Sequence, residues 1–292
     1  MTNLQKQNYP YWFLLPAFLV FLMLFLVPTG TGFYYSLTDW NINTTKINFV
    51  GLANFKALFS DIKLVAALWH TLVYAFSVTL LRNAIGLGLA LMLNTRLKLR
   101  GLFRTVFFLP YIISPIIIGY LFTAIYHPSH GLLNMGLKAL GMGFMAVDWL
   151  NDPRYALLST ILVDVWRTAG FSMVIYLAGL QMIPLELFES ASLDGAKYPQ
   201  TLRYITFPLI APSITINLTL SLIGTMKVFV MILVLTNGGP GYTTEVINTY
   251  IMTAFSLGLY GQGTAANMLL TVLIILIGGP VLLLLRKREA AL

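Results

Sequence analysis

Long apolar runs, interrupted by short polar stretches, dominate the pattern of this chain. A bilayer crossing needs about 20 mainly apolar residues. Six segments qualify, at roughly 12–37, 66–93, 105–126, 155–180, 209–235 and 265–285. Lipid offers no hydrogen-bond partner to an open backbone, so these segments are expected to be helices. None shows the apolar–polar alternation of a barrel strand. The pattern predicts an all-α integral membrane protein, with a single transmembrane domain over residues 1–292. The run from Tyr11 to Val27 lacks a small-residue cleavage site and is preceded by one basic residue, Lys6. It reads as an uncleaved first span rather than a removable signal. Pro28, Pro110, Pro115 and Pro212 lie within or near spans, where neighbouring helices satisfy the carbonyls that proline frees. Kinked packing is the expectation for each, with a hinge as the alternative.

Composition agrees: 58% of residues are hydrophobic and 10% charged, with a mean hydropathy of +0.81, whereas a soluble chain carries about 25% charged residues. The net charge of +8 does not indicate nucleic acid. The basic residues are scattered along membrane edges, where anionic lipid headgroups are the natural partners. There is no cysteine and the three histidines are dispersed, so neither a disulfide nor a metal site is expected.

An even number of spans places both termini on one side. The segments on that side (1–11, 94–104, 181–208 and 286–292) hold ten basic residues: Lys6, Arg96, Lys98, Arg100, Arg104, Lys197, Arg203, Arg286, Lys287 and Arg288. The longer opposite segments (38–65, 127–154 and 236–264) hold five: Lys46, Lys56, Lys63, Lys138 and Arg154. Positive charge is retained in the cytoplasm, so both termini and segment 181–208 are expected there.

Four charged residues fall inside spans: Arg82, Asp164, Arg167 and Lys227. A charge at mid-bilayer costs about 3 kcal/mol on insertion scales, so it faces protein or a wet cavity. Asp164 and Arg167 are spaced to pair on one helix face. On straight helices they lie about 21–26 Å from the inner end at Gln181, with Lys227 about 28 Å from Pro208 and Arg82 about 18 Å from Asn94. Similar depths suggest a shared polar cavity; a purely structural ion-pair network is the alternative. Trp40, Trp69 and Trp149 lie near predicted interfaces, where such rings anchor. Trp166 and Phe171 share the span of the ion pair.

Segment 181–208 is too charged for lipid and too apolar for a simple linker. Glu186, Glu189 and Asp194 lie near the ends or faces of short helices, where a capping role is the plain explanation. Leu187, Phe188, Ala191 and Leu193 add apolar surface in a segment facing water, which suits docking into a partner's groove. Gly195 permits a bend between two short helices. The run Glu189-Ser-Ala191-Ser-Leu-Asp-Gly195, ending at Ile205 and Pro208, resembles the cytoplasmic EAA loop of permease subunits of bacterial ATP-binding-cassette (ABC) importers. The resemblance extends along most of the chain. It includes Phe49-Val-Gly-Leu-Ala-Asn54-Phe, Arg100-Gly-Leu-Phe-Arg104, Phe108-Leu-Pro110, Gly131-Leu-Leu-Asn134, Leu177-Ala-Gly-Leu-Gln-Met-Ile-Pro184, Lys227-Val-Phe and Leu235-Thr-Asn-Gly-Gly-Pro240. It is nearest the maltose, glycerol-phosphate and multiple-sugar branch. Ser190 replaces the usual middle alanine, and His70 stands where asparagine is common. The long outer insertion of some maltose permeases is absent, so the resemblance implies the carbohydrate class and not maltose in particular.

The resemblance implies a type I importer permease in the bacterial cell membrane. It would form the sugar pathway with a second, related permease. Its partners would be two ABC ATPase subunits and an extracytoplasmic solute-binding protein. Glu186, Glu189, Ala191, Asp194 and Gly195 would couple it to the ATPases. By the same resemblance, sugar contacts fall to Asp164, Arg167, Thr168 and Phe171 on the fourth span and to Ser221, Gly224 and Thr225 on the fifth. Lys227 lies beside these, and Arg82 joins them by depth. The chain has no G-x-x-x-x-G-K-[S/T], H-E-x-x-H or G-x-S-x-G sequence. It is therefore expected to be non-catalytic, with ATP and Mg on the partner chains and no cofactor of its own. The competing classes are a self-sufficient secondary transporter or channel and, less consistent with these absences, an intramembrane enzyme.

Overall fold

The computed structural model describes residues 11–95 and 98–289. Lys6 and Arg96, counted above among the inner basic residues, lie outside them. Among the described residues, four helices are each long and apolar enough to cross a membrane: Trp12–Ser36, Ile62–Leu93, Ala156–Gln181 and Tyr260–Glu289. Asp61 starts the second of these as an N-cap, its carboxylate accepting from the Lys63 N–H at 2.9 Å.

The third and fifth hydrophobic segments differ from straight spans. Arg100–Ile112 and Pro115–Ile125 meet at 96°, and Tyr198–Leu209 and Ala211–Met226 at 66°. The first bend follows from Pro115, which lacks an N–H and pushes the preceding residue out of the helical region. Ser114 accordingly adopts ψ 133° and Ile113 ψ 139°. The second bend centres on Ile210, with Pro212 near the start of the following helix. The expected fifth span to residue 235 is also interrupted: its helix ends at Met226 and a short helix resumes at Val230–Leu235. Asn248 Nδ2 donates to the Val228 carbonyl in this break at 3.1 Å, so the freed backbone group has a partner. The straight-helix depth of Lys227 therefore does not hold, because the 66° bend at Ile210 separates it from Pro208.

Two compact units emerge. The first comprises residues up to 60 together with 251–269. Within it, Asn54 Nδ2 donates to the carbonyls of Ser36 and Thr38, each at 2.8 Å, closing the turn after the first long helix. Trp40 packs between Tyr35 and Tyr260, at centroid distances of 4.4 and 4.7 Å. This Trp is a packing residue of its unit.

The second unit comprises 61–250 and 270–292. Its axis is the close crossing of Ile62–Leu93 with Ala156–Gln181. Gly86 makes that approach possible, since a Cβ there would lie 2.6 Å from Ser172 Cβ and 2.9 Å from the Met173 nitrogen. Two apolar clusters flank the crossing. One gathers Tyr74, Val78, Ile118, Ile161, Ile232 and Leu235. The other gathers Ala90, Leu93, Met173, Tyr176, Leu180 and Ile210. Between them runs a buried polar chain: Tyr176 Oη donates to Asn83 Oδ1 at 2.6 Å, and Asn83 Nδ2 donates to Ser221 Oγ at 2.9 Å.

Gly86→Val is expected to destabilise the fold by about 1–3 kcal/mol, the usual effect of overpacking. Thermal unfolding of the purified protein in detergent measures it; an unchanged transition would mean that the two helices separate without cost.

Candidate functional site

The Asp164 side chain organises a cavity of about 620 Å³ in the second unit. Its carboxylate is buried and both oxygens are engaged. Oδ1 accepts from Arg167 Nε at 3.1 Å and from Arg167 Nη2 at 2.9 Å, while Oδ2 accepts from Tyr74 Oη at 3.0 Å. One helical turn separates Asp164 and Arg167, so the pair forms on a single face. Thr168 Oγ1 donates back to the Asp164 carbonyl at 2.6 Å.

Arg82 approaches from the neighbouring Ile62–Leu93 helix. It is buried, and its Nε donates to Ser172 Oγ at 3.2 Å. Phe171 and Tyr111 stack at 4.5 Å with 22° between their planes. The Arg82 guanidinium lies 5.9 Å from the Phe171 ring, and that of Arg167 lies 6.0 Å from the Tyr111 ring. Both separations are within cation–π reach.

Eight of the nine expected substrate residues line this cavity: Arg82, Asp164, Arg167, Thr168, Phe171, Gly224, Thr225 and Lys227. Ser221 does not. It is fully buried, and its hydroxyl accepts from Asn83. The Thr225 hydroxyl is also internally bonded, lying 2.8 Å from the Ser221 carbonyl and 3.1 Å from Thr79 Oγ1. The structure adds Tyr111 to the lining, at the end of the helix that stops before Pro115. No periodicity marks Tyr111, because the 96° bend places it there. Tyr74 is a second addition, as a partner of Asp164. Its signal in the sequence is only a tyrosine within an apolar run.

Segment 181–208 carries the other set of expected residues, none of which lines this cavity. Leu185–Leu193 is helical and stops at Asp194. Gly195 has φ +75°, in the left-handed region that favours glycine. The Ala196 N–H donates to the Ala191 carbonyl at 2.9 Å and the Gly195 N–H to the Ser192 carbonyl at 3.1 Å. This double closure is the Schellman motif, which ends a helix by satisfying its last carbonyls. A second short helix begins at Tyr198. Glu186, Glu189 and Asp194 are exposed, whereas Ala191 is buried. Leu193 is 90% exposed and Leu185 67%, so apolar surface stands free beside the carboxylates.

Residues 82–288 match the family of binding-protein-dependent transport system inner membrane components. A probable ABC transporter permease protein of Bacillus subtilis, YurN, is 38% identical over 91% of each chain. The trehalose/maltose transport system permease protein MalF of Thermococcus litoralis is 35% identical, over 91% of this chain and 89% of its own. Among solved structures, the bacterial alginate ABC transporter in complex with alginate pentasaccharide-bound periplasmic protein contains a chain with a TM-score of 0.79 and 28% identity. The match covers 94% of this chain and 91% of that one.

The ion pair yields a test by substitution. Asp164→Ala leaves the part-buried Arg167 without its partner and is expected to cost less than the ~3–5 kcal/mol of a fully buried broken pair. Tyr74→Phe removes one hydrogen bond to a charged group, about 1.5–3 kcal/mol. The double replacement Asp164→Leu with Arg167→Met should be less destabilising than Asp164→Ala alone. Thermal unfolding of the three variants checks this order; equal stability of the single and double replacements would argue against a coupled pair.

Proposed function

The chain belongs to the family of binding-protein-dependent transport system inner membrane components, and from that premise we propose that it is one permease of an ATP-driven carbohydrate importer. The cavity around Asp164 carries the reading. It combines stacked aromatic faces, which suit the apolar faces of sugar rings, with charged groups that bond sugar hydroxyls. The sugar importers among the relatives and the oligosaccharide in the alginate complex support the same substrate class.

In this proposal both termini and segment 181–208 face the cytoplasm. A second, related permease completes the pathway, and an extracytoplasmic solute-binding protein delivers the sugar. Two partner ATPases bind ATP and Mg, and this chain carries no catalytic step. The Leu185–Leu193 helix docks in an ATPase groove through Leu193 and neighbouring apolar residues, while Glu186, Glu189 and Asp194 present negative charge. Ala191 packs the helix onto its own chain, and Gly195 fixes where it ends. Nucleotide binding then moves the helix and switches the cavity between inward-open and outward-open states. The switch requires nucleotide and sugar to bind the two states with different affinity. A self-sufficient transporter or channel would instead sustain gradient-driven flux when this chain is reconstituted alone.

Sugar-stimulated ATP hydrolysis by the co-purified complex tests the whole proposal. Its absence with every carbohydrate tried would remove the substrate class. Glu189→Lys and Gly195→Leu are expected to leave membrane insertion intact and abolish transport, the first by inverting charge and the second by blocking the left-handed backbone. Normal transport in both would take the loop out of the mechanism.

Within the cavity, Phe171→Ala and Thr168→Val should alter sugar preference. Ser221→Ala should change stability alone, because its hydroxyl faces Asn83. Transport of a panel of sugars by the assembled complex separates these outcomes.

A further inference from the structure

We propose that the cavity around Asp164 selects saccharides that bear a negative charge, and that Lys227 is the residue that reads this charge. The inference rests on the reading of this cavity as the sugar site.

Three cations line the cavity (Arg82, Arg167 and Lys227) against a single carboxylate, Asp164. That carboxylate is already committed. One oxygen accepts twice from Arg167 and the other from Tyr74. Asp164 and Arg167 therefore neutralise each other, and Arg82 and Lys227 remain. The partner of the Arg82 Nε is a neutral hydroxyl, that of Ser172. Lys227 has no side-chain hydrogen bond or ion pair among the described residues, where the ion pairs are Arg154–Asp152 and Arg167–Asp164. No second carboxylate is present in the spans, since every other Asp and Glu of the chain lies outside them.

Lys227 does sit at the C-terminal end of Ala211–Met226, where the helix dipole favours a cation. That end carries about half an elementary charge, so it compensates only part of one of the two cations. The cavity wall thus keeps a net positive charge, which a binding partner of opposite sign satisfies. The rest of the wall suits a sugar: the stacked Tyr111 and Phe171 rings offer an apolar platform beside the cations. An acidic saccharide, with a carboxylate, sulfate or phosphate ester, satisfies both features together. A neutral sugar would leave Arg82 and Lys227 unbalanced.

The test uses the complete importer with its solute-binding protein for transport, and the purified membrane complex without it for direct binding. The second measurement removes the selectivity of the binding protein. The probes are glucuronate oligosaccharides, glucose oligosaccharides of the same length and a sugar phosphate, with inorganic phosphate as a control for simple anion binding. The native complex is expected to bind the acidic sugars at least about tenfold more tightly than the neutral one, with an affinity that falls as salt rises. Lys227→Gln should erase about tenfold of that preference, the acidic sugars losing more affinity than the neutral one. Lys227 is exposed and makes no internal side-chain bond, so the variant is expected to fold; an unchanged thermal transition verifies this.

Neutral sugars bound as well as acidic ones, or equal losses for both in Lys227→Gln, would overturn the charge selection and leave the carbohydrate site standing. That would indicate a carboxylate supplied by the second permease. Inorganic phosphate binding as tightly as the sugar phosphate would show an anion site without a saccharide component, and would overturn the proposal. Failure of every sugar, acidic or neutral, would overturn the carbohydrate reading and this one with it.

Discussion

A carboxylate among membrane-spanning helices is tolerated only if every lone pair that matters finds a donor, and Asp164 meets that demand in one arrangement. Its two oxygens draw Arg167 from the same helix and Tyr74 from the neighbouring one. Fixing Arg167 in this way sets its guanidinium near Tyr111, and Tyr111 in turn stacks on Phe171. The orientation of one buried acid thus propagates to the aromatic wall of the cavity. One acid cannot balance three cations, so with Arg82, Arg167 and Lys227 on its wall the cavity keeps a net positive charge. The polarity of the cavity follows from that.

The second constraint is the backbone. In lipid an irregular stretch is tolerated only where protein or a wet cavity satisfies its polar groups. The structure breaks its hydrophobic segments at Ile113–Ser114, at Ile210 and at Lys227–Phe229. The first and last of these adjoin the cavity, which is lined by Tyr111 and Pro115 on one side and by Lys227–Met231 on another. Interruption of the helices is therefore the means by which side chains from distant parts of the chain meet.

The segment around Gly195 is of a different kind. Its geometry is local: a short helix, a left-handed glycine and two hydrogen bonds that end the helix. Nothing in it depends on the rest of the bundle except the burial of Ala191. The cavity gathers polar groups from several helices, whereas this helix leaves Leu185 and Leu193 exposed beside its carboxylates.

That division also separates what could be read from the residues. Hydrophobic run length gives the helical membrane class, because lipid leaves the backbone no alternative. The spacing of Asp164 and Arg167 gives their ion pair, because three residues is nearly one turn. Gly195 gives the end of its helix, because that backbone conformation favours glycine. Each is a consequence of local sequence. The tertiary structure alone decided that Tyr111 joins the cavity, that Ser221 turns away to Asn83, and that Lys227 stands on a break beyond Met226. Pro115 marks a bend, but its 96° angle and what it faces depend on packing. Hydropathy records only that a residue avoids water, not which neighbour it meets, so a tyrosine on the cavity wall and one facing lipid read alike. The neighbour was settled by the close crossing at Gly86, the buried donors around Asp164 and the carbonyl that Asn248 caps.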